Sequence, residues 1–193
     1  IGGIPPKSNG DMAWVQHMIK SMKDDGRMAV VLPSGVLFRQ GAEGNIRKNL
    51  IEQDLIETII SLGPNIFYGT QLSPNILIFK KKKEKHKQKK IFFIDASTQI
   101  RVGRAQNHLE PKHIDKIIKI YYLNDQIKNY SKIASVEEIK SNSYSLNIPL
   151  YVEKYIEDNL PSTEKALSNF KIARNNYLKL EKSFKETFKE FLS

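Results

Sequence analysis

Cysteine is absent from the 193-residue sequence, which excludes disulfide bonds, thiolate metal ligands and thiol catalysis. No apolar run approaches the about 20 residues of a membrane-spanning helix, and no signal peptide is visible, so we expect a cytoplasmic protein. Histidine is scarce, and the spacing of His108 and His113 is poor for two ligands on one helix face. We therefore expect no metal site.

Acidic residues are outnumbered: 21 Asp and Glu stand against 31 Lys and Arg, which gives a formal net charge of +10. Such an excess favours a polyanionic partner such as nucleic acid. The alternative is a local origin, because residues 80–90 contain eight Lys and one Glu and are predicted to form a solvated loop or hairpin tip. The length suits one domain with an appendage.

The central element of the predicted fold is a continuous apolar run at residues 28–32, which follows a helix predicted at residues 12–22. A run without alternation is typical of a strand that is buried on both faces. Pro33, Ser34 and Gly35 end this strand sharply. Because ligands of open α/β sheets bind at the carboxyl ends of strands, we predict that this exit forms one wall of an active site.

The chain that follows predicts a helix at residues 43–53 and strands at residues 55–62, 75–79 and 91–94. The connection between the second and third strands is short for a parallel crossover and favours an antiparallel return. In the methyltransferase variant of the doubly wound fold, the sheet ends with two parallel strands followed by an antiparallel hairpin.

Polar residues 95–106 are predicted to form a surface loop. A further helix is predicted at residues 111–122, with an inward side formed by Ile114, Ile117, Ile118 and Tyr121.

The last 30 or so residues predict one long helix, which begins after Pro161, Ser162 and Thr163. Such a helix needs a surface to pack against, and an intrachain partner and a partner subunit both remain open. Its apolar residues follow steps of four and three, with Thr187 as the one missed position: Ala166, Phe170, Ala173, Tyr177, Leu180, Phe184 and Phe191.

Several blocks that occur in one order between residues 4 and 151 resemble the methylation (M) subunit of type I restriction–modification systems. Agreement of many blocks in order is far more specific than any single block. The blocks are Ile4-Pro5-Pro6-Lys7-Ser8 with Asp11 and His17, Val31-Leu32-Pro33-Ser34-Gly35-Val36-Leu37-Phe38-Arg39, Glu43-Gly44-Asn45-Ile46-Arg47-Lys48, Asn65-Ile66-Phe67-Tyr68-Gly69-Thr70, Phe93-Ile94-Asp95-Ala96-Ser97, Gln106-Asn107 and Leu146-Asn147-Ile148-Pro149.

The resemblance implies an adenine-N6 DNA methyltransferase that uses S-adenosylmethionine. It also implies work on DNA together with a specificity (S) subunit and, for cleavage, a restriction (R) subunit. The implied fold class is α/β: the C-terminal half of a Rossmann-like S-adenosylmethionine-dependent methyltransferase sheet, with parallel strands ending in an antiparallel hairpin, plus a C-terminal helical tail. In this family the S subunit reads the DNA sequence.

Two motifs of the family are absent from this sequence: the Gly-rich cofactor loop and the catalytic Asn-Pro-Pro-Phe/Tyr motif. Pro5 and Pro6 do not replace the second motif, because Ile4 precedes them and Lys7 follows. By resemblance, both motifs and most of the cofactor site are expected upstream of Ile1, on the N-terminal half of the M subunit. We therefore expect no catalytic residue in this chain and no activity of the chain alone.

A target adenine must leave the duplex to react, and a flipped base needs an aromatic face to stack on. By resemblance to adenine-N6 methyltransferases, Phe67 or Tyr68 stacks on the base, and Phe38 and Pro33 are further candidates for its pocket. The alternatives are a core position for one of the two aromatics and a loop-shaping role for Pro33. The candidate DNA contacts are Lys7, Ser8, Arg39, Arg47 and Lys48, and for the last three the alternative is an ordinary exposed helix face.

The predicted organisation has three parts: residues 1–100 form the second half of the catalytic domain, residues 101–158 a family-specific extension, and residues 159–193 a helix that docks on the S subunit. A different class of function is also open, in which the chain is a non-catalytic remnant that only binds partners. A purely basic DNA-binding module is the least favoured alternative, because it does not account for the buried strand or its sharp exit.

Overall fold

The computed structural model describes residues 1–153 and 161–191, without the side chains of Glu190 and Phe191. The chain divides into two compact units, Ile1–Tyr155 and Ile156–Ser193. The boundary predicted between residues 158 and 159 lies outside the described residues. No helix among the described residues is long and apolar enough to cross a membrane.

The helices and strands alternate along the first unit, and one long helix forms the second. The predicted helices and the four predicted strands are confirmed within a few residues, whereas a fifth short strand was not predicted. The elements are α1 (Asp11–Ser21), β1 (Arg27–Pro33), α2 (Ala42–Glu52), β2 (Ile56–Leu62), β3 (Pro74–Lys80), β4 (Lys90–Ala96), α3 (Pro111–Leu123), β5 (Ser131–Ser135), α4 (Val136–Ser141) and α5 (Thr163–Phe191), with 3-10 turns at Ser34–Leu37, Lys85–Lys87 and Ile148–Leu150.

The five strands form one sheet in the order β1-β3-β2-β4-β5. β3 lies between β1 and β2 and is antiparallel to both, which confirms the predicted antiparallel return and makes β1 and β2 parallel to each other. β4 is parallel to β2. The carboxyl ends of β1, β2 and β4 therefore lie at one edge of the sheet, and the amino end of β3 lies there too.

β1 is an edge strand with one exposed face, so the prediction that both of its faces are buried is wrong. Among the described residues it pairs with β3 alone. Leu32 is buried on one face, whereas Ala29 is exposed and Val31 is 50% exposed on the other. The physical reason is that no described element covers this second face of β1. A continuous apolar run does not distinguish a covered strand from an uncovered one.

Each face of the sheet has its own hydrophobic core. On one face, Val15 of α1 and Ile46 of α2 pack with Phe79 and Phe93 of the sheet. On the other face, Ile117 and Ile120 of α3 pack on a second cluster that contains Ile60, Phe92 and Ile94. The prediction of the inward side of α3 is partly wrong: Ile117 is buried as predicted, but Ile114 and Ile118 are exposed, and Ile120, which was not predicted, is buried.

The lysine-rich residues 80–90 are mostly exposed, as predicted for a solvated loop. They do not form a hairpin tip, because they connect β3 to β4 across the end of β2. Lys83 is buried, and its Nζ lies 2.5 Å from Oδ1 of Asp54 and donates to the carbonyl oxygen of Lys90 at 2.9 Å. Burial lowers the pKa of Lys83, and the hydrogen bond from its ammonium to Asp54 opposes that shift. One of the lysines is therefore part of the folded structure.

We predict that Asp54→Asn destabilises the protein by about 2 kcal/mol at neutral pH, because it leaves a buried ammonium without its counter-charge. Asn tolerates the left-handed backbone of Asp54 (φ 57°). Its one side-chain oxygen can still accept from the backbone N–H of Lys89, which donates to Oδ2 of Asp54 at 2.9 Å, so the change acts mainly through charge. The pKa of Lys83 is lowered in the folded state. Between that lowered pKa and the ordinary pKa of lysine, the unfolded state therefore binds more protons, and stability rises with pH. The loss caused by Asp54→Asn should shrink in the same window.

Urea unfolding from pH 7 to pH 10 measures this loss. Glu84→Gln is the matched control, because it removes the carboxylate of the exposed Lys80–Glu84 pair and should change stability little. Equal losses for the two variants at every pH would contradict the role assigned to Lys83.

Candidate functional site

Three connections meet at the sheet edge where β1, β2 and β4 end. They are residues 34–41 after β1, residues 63–73 after β2 and residues 97–110 after β4. In an open α/β sheet this edge is the ligand-binding edge. The sequence predicted the first two connections as parts of a site and the third only as a polar loop.

An open groove of about 320 Å³ lies between the end of β1 and the connection after β2. Its lining is mostly apolar, and Phe67 is 47% exposed, so a ring surface is accessible from solvent. The groove can therefore take a flat apolar ring against Phe67. The lining residues are Val31, Leu32, Pro33, Phe67, Thr70, Leu72, Ser73 and Pro74.

The groove brings together two of the four residues predicted for the pocket, Pro33 and Phe67. Tyr68 is 92% exposed and Phe38 is 46% exposed, and neither lines the groove. The alternative that Phe67 is a core residue does not hold at this exposure. Between the two adjacent aromatics, the geometry favours Phe67 as the stacking surface.

Ser34 fixes the distance between the two walls of the groove. Its Oγ donates to the carbonyl oxygen of Ser73 at 2.7 Å and accepts from Nδ2 of Asn75 at 2.9 Å. Asn75 is buried, so this pair of hydrogen bonds is shielded from competing water. The sharp exit of β1 is thus tied directly to the segment that leads into β3.

The connection after β4 holds the segment that carries Phe67. Nε2 of Gln106 donates to the carbonyl oxygen of Ile66 at 2.7 Å. The backbone N–H of Asn107 donates to the carbonyl oxygen of Asn65 at 2.8 Å, and its Nδ2 donates to that of Pro64 at 2.9 Å. Three consecutive carbonyls before Phe67 are therefore fixed. We refer to Gln106 and Asn107 as the amide clamp.

The amide clamp was not predicted from local sequence, because residues 95–106 read only as a polar loop. Its contact with residues 64–66 follows from β4 lying parallel beside β2, and local composition does not specify sheet order. The signal that pointed to it was the Gln106-Asn107 block of the family resemblance.

Gly63 lets the second and third connections approach each other. A Cβ at this position would overlap Cγ2 of Ile100 and lie 2.9 Å from the carbonyl oxygen of Ser97. These separations are well inside van der Waals contact, so a larger residue would force the two connections apart.

Arg47 is a structural residue, and the prediction that it faces outward as a DNA contact is wrong. It is 1% exposed, so its guanidinium cannot reach a phosphate. Nη1 donates to the carbonyl oxygens of Val36 (3.2 Å) and Arg39 (2.7 Å), and Nε donates to that of Tyr144 (2.8 Å). Burial lowers the pKa of Arg47, and the negative charge of Glu43 opposes that shift.

The other candidate DNA contacts lie on the surface. Arg39 is partly exposed, with Nη1 3.5 Å from Oε1 of Glu43 and 3.9 Å from Oδ2 of Asp11. Lys48 is exposed and lies 3.9 Å from Oε1 of Glu52. Lys7 and Ser8 are exposed in the loop before α1. Contact of these four residues with DNA stays a prediction.

The residues that line the groove do not fit S-adenosylmethionine. Its ribose hydroxyls, its sulfonium and the ammonium of its amino acid part call for acidic side chains or exposed backbone groups, such as those of a Gly-rich turn at a strand end. The polar side chains of the lining are those of Thr70 and Ser73, and no acidic residue lines the groove. The groove therefore suits a base ring rather than this cofactor.

The sequence model of the N-6 DNA methylase family matches residues 1–159. The methylase subunit of the type I restriction enzyme MjaVII from Methanocaldococcus jannaschii is 37% identical over 99% of this chain and 32% of its own length. The methylase subunit of the MpnII enzyme from Mycoplasma pneumoniae is 33% identical over 81% of this chain and 28% of its own length. The chain thus spans about a third of the length of these relatives.

Solved structures that are similar to this chain also come from type I restriction enzymes. The methyltransferase subunit of a type I restriction–modification system from Streptococcus thermophilus is 43% identical, with a TM-score of 0.73 over 77% of this chain and 31% of that one. The M protein of the EcoKI enzyme matches with a TM-score of 0.65 over 80% of this chain and 40% of that one. At 22% identity the second match supports the fold alone, which is the predicted Rossmann-like methyltransferase fold with a C-terminal helix.

We predict that Gln106→Ala loosens the segment that carries Phe67, because it removes the side-chain donor to the carbonyl of Ile66. Hydrogen exchange at the amide of Asn107, which donates to the carbonyl oxygen of Asn65, should become faster, while the free energy of global unfolding falls by only about 1 kcal/mol. Gln99→Ala is the control in the same connection, since Nε2 of Gln99 donates to its neighbour Thr98. If the amide of Asn107 exchanges at the same rate in both variants, the amide clamp does not hold this segment.

Proposed function

The chain belongs to the N-6 DNA methylase family, and from this membership we propose that it is part of the modification subunit of a type I restriction–modification system. In the proposed reaction, a methyl group passes from S-adenosylmethionine to N6 of an adenine in a specific DNA sequence. The names of the relatives support this proposal. Because the chain spans about a third of their length, we propose that it acts only together with the rest of such a subunit.

The observation that carries the proposal is the half-exposed ring of Phe67 in an apolar groove at the ligand-binding edge. A flipped adenine loses its stacking neighbours in the duplex, and an aromatic side chain can replace one of them. Phe67 would stack on one face of the base, and Pro33 would limit the groove on the opposite wall. Tyr68 and Phe38 are second choices, since they lie outside the groove lining.

The residues of this chain have a binding and orienting role in the proposed reaction. Ser34 and the amide clamp keep the groove open at a fixed width, so that the base finds a preformed surface and need not order it. When bound, S-adenosylmethionine supplies the methyl group. The cofactor loop and the catalytic Asn-Pro-Pro-Phe/Tyr motif of the family are proposed to lie on residues outside this sequence.

DNA and the other subunits are the proposed partners. Arg39, Lys48, Lys7 and Ser8 are proposed to contact the phosphate backbone, which would position the duplex without reading its sequence. Sequence reading is assigned to the S subunit, and cleavage of unmodified DNA to the R subunit. The net charge of +10 supports a polyanionic partner.

A reconstituted assembly tests the proposal: this chain, a polypeptide with the cofactor and catalytic motifs, and the S subunit, supplied with labelled S-adenosylmethionine and DNA. We expect methylation only when all parts are present. Phe67→Ala should lower kcat/KM by about tenfold to a hundredfold, because a base stacked on an aromatic side chain is worth about 1–3 kcal/mol. Tyr122→Ala is the control, since Tyr122 is an exposed aromatic on α3 and lies outside the groove lining.

Full activity of Phe67→Ala would contradict the base-stacking role. An assembly that forms but transfers no methyl group would favour the alternative function, in which the chain only binds partners.

A further inference from the structure

The connection after β4 contains a closed loop at the sheet edge where the groove lies. The backbone N–H of Arg101 donates to the carbonyl oxygen of His108 at 2.8 Å, and the N–H of His108 donates back to that of Arg101 at 2.9 Å. Inside the loop, the N–H of Gly103 donates to Oδ1 of Asn107 at 3.2 Å. These bonds close residues 101–108 into one unit, which we call the edge loop.

Hydrogen bonds run in both directions between the edge loop and the segment that carries Phe67. The amide clamp donates from the edge loop to the carbonyl oxygens of residues 64–66. In return, Nδ2 of Asn65 donates to the carbonyl oxygen of Ala105 at 3.2 Å. Such a network makes the two connections rigid with respect to each other. A ligand contact made by the edge loop therefore also positions Phe67.

Arg104 is an exposed cation in the edge loop. Within the described part of the chain it has no acidic partner, whereas Nε of Arg101 lies 2.7 Å from Oε1 of Glu110. A guanidinium suits phosphate oxygens, because its planar fork donates two parallel hydrogen bonds to them. Arg104 is therefore available for an anion outside the chain.

We propose that Arg104 binds a backbone phosphate of the DNA strand that carries the target adenine. The inference rests on the proposed function, because it takes Phe67 as the surface on which the adenine stacks. A flipped adenine stays covalently joined to its strand, so the backbone of that strand lies over the rim of the groove. The edge loop is bonded to this rim and presents a cation there.

The position of the edge loop favours DNA over a protein as the partner of Arg104. The loop adjoins the groove, and the carboxyl ends of strands in open α/β sheets face the substrate. Val102 is the one large apolar side chain that the loop exposes. A protein contact calls for a broader apolar centre, whereas a phosphate contact needs none.

The contact gives Arg104 a positioning role. Phosphate contacts fix the register of a protein on the duplex, and the bonds between the two connections carry that register to Phe67. The phosphate is held in the bound state and in the transition state alike. Loss of the contact should therefore raise KM for DNA and change kcat little.

Salt-dependent DNA binding by the reconstituted assembly tests the contact. Fluorescence anisotropy of a labelled duplex gives Kd at several salt concentrations and does not require methyl transfer. Arg104→Ala should weaken binding about tenfold at about 0.1 M salt and lower the slope of log K against log salt by about one, because one phosphate contact is lost. Arg104→Lys keeps the charge and should keep the slope.

Arg27→Ala is the matched control, because it removes an exposed arginine at the opposite edge of the sheet and should leave affinity and slope unchanged. Urea unfolding checks that the variants keep the fold. Natural affinity and slope for Arg104→Ala would overturn the proposal. Weaker binding of the S subunit by Arg104→Ala, with a natural slope, would indicate a protein contact and would overturn it as well.

The two proposals fail in different ways. If the natural assembly methylates DNA but Arg104→Ala binds DNA normally, the proposed function stands and the role of Arg104 is wrong. If the natural assembly binds DNA without methylating it, the proposed function fails and the salt slope still decides the role of Arg104. An assembly that does not bind DNA overturns both.

The link between the edge loop and the segment of Phe67 is tested by combining variants. In the Gln106→Ala background, Arg104→Ala should weaken DNA binding by a smaller factor than in the natural sequence, because a loosened loop must first be ordered to hold the phosphate. Equal factors in the two backgrounds would contradict the link.

Discussion

The insertion of β3 between β1 and β2 is the constraint on which the rest of the first unit depends. Because β3 runs antiparallel to both neighbours, β1 and β2 are parallel, and their carboxyl ends lie together. β4 then adds parallel to β2 and brings a third connection to the same edge. The groove between Pro33 and Phe67, its Ser34 tether and its amide clamp all follow from this strand order.

Buried polar groups fix the connections at that edge. Arg47 donates to carbonyl oxygens in the turn after β1 and to the carbonyl oxygen of Tyr144. Its guanidinium thus supplies these carbonyls with the donors that a helix or a strand would otherwise provide. Leu146 adds a backbone hydrogen bond to the carbonyl of Leu37. Removing any of these donors would leave buried carbonyls unsatisfied, which costs about 1–3 kcal/mol each. A preformed groove is the consequence.

Local pattern was sufficient to predict most helices and strands and the antiparallel return to β3, and it pointed to the end of β1, where the groove lies. It failed where long-range packing decides. The apolar run of β1 was read as doubly buried, although one face is uncovered, and Arg47 was placed outward although its donors serve carbonyls distant in sequence. The amide clamp was missed for the same reason, since Gln106 meets Ile66 only after the sheet has formed. Heptad spacing, in contrast, is local, and α5 was predicted correctly.

The central claim is that this chain supplies the base-facing wall of a methyltransferase site but not its cofactor site. Calorimetric titration of S-adenosylmethionine into the chain alone tests that claim most directly, with the chain's integrity checked by its circular dichroism spectrum. We expect no heat of binding, because the groove lining lacks partners for the ribose and the amino acid part of the cofactor. Clear micromolar binding would contradict the claim and would place the cofactor pocket within these residues.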